Sequence, residues 1–202
     1  TLSVTQNGKA GDTPLSVAGK LTLAAPNIVQ GGTLRAPIGE IRLDAGNKLQ
    51  LAAGSITSNS AGGKVLPFGR SQGGLDWVYP LGQQNLIVAT PPEKRLSLKG
   101  DVIDIAMGSV IDTAGGGDLY AFEHVPGPGG SFDVLDPSSQ GYRGSFAILP
   151  DYTGNAAPVD PLELPTSGLK IGDSLYLSGG GGLKAGQYIL LPAHYALLPG
   201  AY

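Results

Sequence analysis

The chain has no cysteine in its 202 residues, and only one methionine and one tryptophan. Without thiols there are no disulfides, no thiol nucleophile and no cysteine-based metal centre. Charge is sparse too: 14% of residues are Asp, Glu, Lys or Arg, and the formal net charge is −3. Such a surface has nothing to draw in nucleic acid or an anionic membrane, so neither is expected as a partner. No apolar run reaches the roughly 18 residues of a membrane-spanning helix, so no membrane insertion is expected. No window sustains apolar residues at i, i+3, i+4 and i+7, and no helix is expected. No signal peptide opens the chain, and a sequence running from Thr1 to Tyr202 reads as a piece of something longer.

Glycine and proline are plentiful, 33 and 16 residues, near the level that marks low complexity. An internal repeat argues for order instead. The stretch Gly46–Gly63 returns without a gap as Gly100–Gly117, 54 positions on. Gly46, Ala52, Gly54, Ser55, Gly62 and Gly63 recur unchanged, and Leu49, Leu51 and Ile56 become Ile103, Ile105 and Val110. A fainter copy lies upstream. Each copy opens on an apolar-polar-apolar triplet (Leu21-Thr22-Leu23, Ile41-Arg42-Leu43, Leu96-Ser97-Leu98). Each later carries Gly, a small hydroxyl residue and an aliphatic (Gly32-Thr33-Leu34, Gly54-Ser55-Ile56, Gly108-Ser109-Val110).

Alternation at period two is the signature of a strand, and recurrence at a fixed spacing is that of stacked units. The pattern predicts an all-β fold built on parallel β-helix (β-solenoid) coils. Its inward residues would be Leu21, Leu23, Ile28, Leu34, Ile41, Leu43, Leu49, Leu51, Ile56, Leu96, Leu98, Ile103, Ile105 and Val110. An antiparallel β-sandwich shares the short strands and glycine turns and is the competing architecture. Residues 1–117 are assigned to the coils, with 64–94 as an inserted loop or hairpin that breaks the period and carries the only Trp. Residues 118–202 are richer in Pro, Gly and aromatics. Gly144-Ser-Phe-Ala-Ile-Leu-Pro150 and Gly186-Gln-Tyr-Ile-Leu-Leu-Pro192 echo one another there. They predict either a small β-rich module with a shared core or an irregular extension of the solenoid.

The coils together with Gly115-Gly-Gly-Asp-Leu-Tyr-Ala-Phe-Glu123, Pro126-Gly-Pro-Gly-Gly-Ser131, Asp133-Val-Leu135, Ala147-Ile-Leu-Pro150, Ser178-Gly-Gly-Gly-Gly182 and Tyr195-Ala-Leu-Leu-Pro-Gly200 resemble filamentous haemagglutinin-like large exoproteins of the two-partner secretion family. Pro91-Pro-Glu-Lys94 leading into Leu96-Ser-Leu98 fits the same block, so the likeness spans most of residues 20–202. The resemblance implies a right-handed β-helix segment of a secreted, cell-surface adhesin that is exported through an outer-membrane partner. The Asn-Pro-Asn element of that family's secretion domain is missing. No catalytic residue is carried over.

The candidate chemistry is thin. Asp112, Asp118, Glu123, His124, Asp133 and Asp136 crowd one region, but Gly115-Gly-Gly-Asp118 lacks the spacing of the calcium nonapeptide and occurs once. No metal or cofactor is expected. Asp104 should face outward with Gln50 in its place one repeat earlier, leaving no paired carboxylates for glycoside chemistry. His124 and His194 have no Gly-x-Ser-x-Gly elbow to serve. A polysaccharide-acting lyase or hydrolase is therefore the second reading, and a non-enzymatic adhesive segment the first. Its contact residues are sought in the insertion, where Arg70, Asp76, Trp77, Tyr79 and Gln83 combine aromatic faces with forked polar groups. Surface glycans or proteins would be the partners.

Overall fold

A computed structural model describes residues 1–81, 84–136, 139, 140, 142, 144–160 and 168–202. It is all-β apart from one five-residue 3-10 turn, Ala193–Leu197, too short to leave a helical period in the sequence. The strands are β1 (Leu2–Thr5), β2 (Lys20–Gly31), β3 (Thr33–Arg35), β4 (Glu40–Leu51), β5 (Ile56–Ser58), β6 (Lys64–Gln72), β7 (Asp76–Leu81), β8 (Gln84–Ile87), β9 (Arg95–Lys99), β10 (Val102–Ile105), β11 (Val110–Asp112), β12 (Gly117–Phe122), β13 (Phe146–Ala147), β14 (Ser174–Leu177), β15 (Gly186–Ile189) and β16 (Leu191–Pro192). They fall into two compact units, residues 1–64 with 91–118 and residues 65–90 with 119–202.

In the first unit the repeats stack as parallel strands. β2 lies between β1 and β4, and β4 carries β9 and β10 beyond it; β3, β5 and β11 form a separate parallel row. The spacing of 54 is the register itself: Ile103 pairs with Leu49, Asp104 with Gln50, Ile105 with Leu51 and Val110 with Ile56. The triplets align as well, Leu21 with Ile41 and Leu96, Leu23 with Leu43 and Leu98. Ile28, Ile41, Leu43, Leu49 and Leu51 are sealed from solvent, with Leu2, Leu21, Leu23, Leu34, Leu96 and Leu98 packed around them. Each such side chain contributes about 1.5–3 kcal/mol relative to exposure. The copies pair in parallel, unlike the strands of an antiparallel sandwich.

Two irregularities shape the stack. The partner spacing between β2 and β4 changes after Ala25, where Pro26 has no N–H to give the ladder and sits against Gly46. At the next corner Ala18 and Ile38 both take left-handed backbone, φ 60° and 47°. They are held by Ala18 N–H to the Ile38 carbonyl at 3.1 Å and Ile38 N–H to the Asn59 carbonyl at 3.0 Å. Beside them Gly39 must be glycine, because a Cβ there would run into the Gly19 carbonyl oxygen.

The structure corrects the inward set in two places. In the row of β3, β5 and β11, Thr33, not Leu34, pairs with Ile56, so Leu34 shares its position with the buried Thr57. Ile56 and Val110 are turned to the other face of that row. The link from Gln30 to Thr33 is two residues shorter than that from Leu51 to Ile56, its partner, and Gln30 itself occupies an interior position opposite Leu51 and is fully buried. Its amide donates to the carbonyls of Gly32 (3.1 Å) and Ile56 (3.0 Å) and to Thr57 Oγ1 (3.3 Å), and it accepts from Gly32 N–H (3.1 Å). A buried amide needs those partners, so this corner is polar where an aliphatic was expected. The second correction concerns the last repeat. Ile103 and Ile105 are 42% and 52% exposed, because no described strand follows β10 in its row.

The second unit contains a sheet in the order β12-β6-β7-β8, a β14–β15 hairpin and the short β13–β16 pair. The two echoes meet: Ala147 stands opposite Leu191, and Ala147, Tyr188, Leu190, Leu191, Ala193 and Tyr195 are buried. Residues 65–90 interrupt the first unit between residues 64 and 91 and cluster with residues 119–202 in this one. β6 finds its neighbour, β12, some fifty positions downstream, a pairing no local pattern announces.

Candidate functional site

Strands β6 and β7 form an antiparallel hairpin in which Asp76 faces Gln72, Trp77 faces Ser71 and Val78 faces Arg70. Opposed residues share a face, and successive residues alternate. Trp77 and Tyr79 therefore lie on one side, and Asp76, Val78 and Arg70 on the other. Gly69, at φ 69°, breaks the ladder between them. Any side chain there would collide with the Val78 carbonyl and reach 2.9 Å from the Trp77 Nε1 atom. That gap lets the indole lie across β6 and donate to the Phe68 carbonyl at 2.6 Å. Phe68 stacks on Tyr79 with ring centroids 4.7 Å apart and meets Trp77 edge-on at 6.5 Å. Leu86 of β8 stands opposite Tyr79 and is 48% exposed. The result is a half-buried face of Phe68, Trp77, Tyr79 and Leu86, with Ser71 beside the indole.

The five candidate residues thus do not converge. Trp77 and Tyr79 are together. Arg70 is turned away, its guanidinium ion-paired to Asp136 and lying 3.8 Å from Asp133, with all three side chains largely enclosed. It anchors the unit's interior and offers no fork to a ligand on the aromatic face. Asp76 is exposed on Arg70's side of the hairpin, and Gln83 lies outside the described residues. Phe68 was missed in the sequence. Its signal was the isolated Gly69 inside a strand, which marks a bulge and a close approach.

Several of the remaining candidate groups have structural partners. Among the described residues no group of three or more His, Asp or Glu is placed to hold a metal. The Asp112 carboxyl accepts from Ala114 N–H and from Ser58 Oγ, each at 3.0 Å, and these bonds hold it below the usual carboxylate range. Asp104 is ion-paired to Lys48 at 3.1 Å. His124 Nε2 is 3.3 Å from Ser131 Oγ. His194 is half-buried beside the Tyr195 ring, 4.2 Å between centroids, and that burial pushes it down to about 4.

The chain matches no protein-family model, no curated protein and no solved structure.

Proposed function

We propose that this chain is a structural and adhesive segment of a large secreted bacterial surface exoprotein. Its first unit supplies coils of a right-handed β-solenoid, and its second contacts surface carbohydrate. The observation that carries the contact is the aromatic face of Phe68, Trp77 and Tyr79 on a sheet outside the parallel stack. A sugar's apolar C–H face stacks on such rings while its hydroxyls seek donors and acceptors. Because the indole N–H is already committed to the Phe68 carbonyl, hydroxyl recognition falls to neighbours such as Ser71. The solenoid reading rests on the in-register parallel repeats and on the resemblance of residues 115–135 to the haemagglutinin-like block. Export through an outer-membrane partner and a cell-surface location follow from that resemblance. The ion pair between Asp104 and Lys48 weighs against the lyase or hydrolase reading.

Trp77 is the only tryptophan, so its emission reports on this face alone. Titration with a panel of neutral and acidic oligosaccharides is expected to give a saturable change with at least one. Tyr79→Ala should weaken that binding by about tenfold, the order of one lost aromatic contact. No response across the panel, with Trp77 resistant to added quencher, would leave the rings as a plug that holds the hairpin together.

A further inference from the structure

Beyond β9, β10 and β11 the first unit ends in an unpaired parallel edge among the described strands. The aliphatics there are the counterparts of sealed core residues. Ile103 stands next to Leu49 and Ile105 next to Leu51, yet they are 42% and 52% exposed where Leu49 and Leu51 are at 0%. Val102 and Met107 are uncovered as well.

The charges beside these aliphatics say what would cover them. Lys20 binds Glu40 at 2.9 Å, and Glu40 is the register partner of Arg95. Asp44 is bridged to Arg42 and, at 3.2 Å, to Lys99 of β9. Farther along, Lys48 binds Asp104 of β10. Sign therefore alternates across the stack. It ends on cations at Arg95 and Lys99 and on an anion at Asp104, with side chains 59%, 69% and 46% exposed. Arg95 also pairs with Glu93, two positions earlier. Lysines and arginines on an edge repel ordinary strand pairing, and an incoming strand must answer them. A second copy adding its own β1–β2 end by continuing the rows would set Lys20 against Arg95. Like charges directly opposite one another are destabilising.

We propose that this edge docks an extended peptide segment of a partner protein. The segment adds a parallel strand, apolar at alternate positions, with acids opposite Arg95 and Lys99 and a base beside Asp104. Main-chain bonds along β9 and β10 supply affinity, and the charges set register and partner choice, as in recognition by strand addition.

The sequence of β4 has this chemistry, so a capped, fluorescently labelled peptide copying Glu40–Leu51 serves as the probe. It is compared with a version carrying Glu40→Lys, Asp44→Lys and Lys48→Glu. Fluorescence anisotropy with the full chain should show saturable binding of the first and at least about tenfold weaker binding of the second. Protein carrying Arg95→Glu and Lys99→Glu should lose that preference. Ile103→Lys should abolish binding while its melting temperature stays near that of the parent, and hydrogen exchange should slow in residues 95–105 when peptide is bound. Absent binding, equal binding of the two peptides, or protection elsewhere would overturn the proposal. So would concentration-dependent self-association that protects 95–105 in place of the peptide, which would assign the edge to a second copy.

Discussion

A partly buried imidazole can stay neutral at a pH where a free one would be charged, and His194 is in that position. Burial beside Tyr195 lowers it from its ordinary value near 6.5 to about 4. Between those values the unfolded chain binds a proton that the folded chain refuses. Stability is therefore full above pH 6.5 and is lost as the pH falls toward 4, by about 2 kcal/mol between pH 7 and pH 5. Urea unfolding of the parent and of His194→Gln across that interval measures it. The parent's midpoint should fall more steeply than the variant's, and parallel profiles would show that the ring is solvated. In the sequence His194 stands within Pro192-Ala-His-Tyr195, but a titration shift depends on enclosure by distant residues. Trp77 and Tyr79 were legible for a local reason, since their i, i+2 spacing alone puts them on one face. Arg70 was not, because its face depends on the register set around Gly69.

Strand by strand, position in the stack outweighs residue type. Leu51 and Ile105 are register partners in adjacent repeats and look interchangeable in the sequence. One is sealed and the other half exposed. An aspartate at Leu51 would bury an unpaired charge, costing several kcal/mol of a total that is typically about 5–15 kcal/mol. At Ile105 the same charge meets water. Leu51→Asp should unfold the stack, and Ile105→Asp should change the denaturation midpoint only slightly; comparable losses in both would mean that β10 is covered in solution. The repeat at 54 disclosed the register of these strands because like residues stack on like. It could not disclose that β9 to β11 end their rows, since an end is defined by what lies beyond it. Nor could it disclose the one-residue shift of β3 against β5, where the link from Gln30 to Thr33 is two residues shorter than that from Leu51 to Ile56.

For the whole chain, the consequential feature is two cores with different membership. The first is the aliphatic column from Ile28 to Leu51 with its surrounding leucines. The second unit buries Leu66, Val78, Ala147, Leu190, Leu191 and Tyr195, drawn from both sides of the last repeat in sequence. Composition and period located the first. The second stayed hidden because it joins residues 65–90 to residues beyond 119, and its long connections carry no period. Separate cores without shared residues should melt as separate cooperative units. Calorimetry of the full chain is expected to resolve two transitions. Trp77 lies in the second unit, so its emission should follow only one of them. In Leu51→Asp the first unit's transition should vanish, while Trp77 keeps its folded emission and its own midpoint. A single transition in the parent, or loss of folded Trp77 emission in the variant, would show that the second core does not stand without the first.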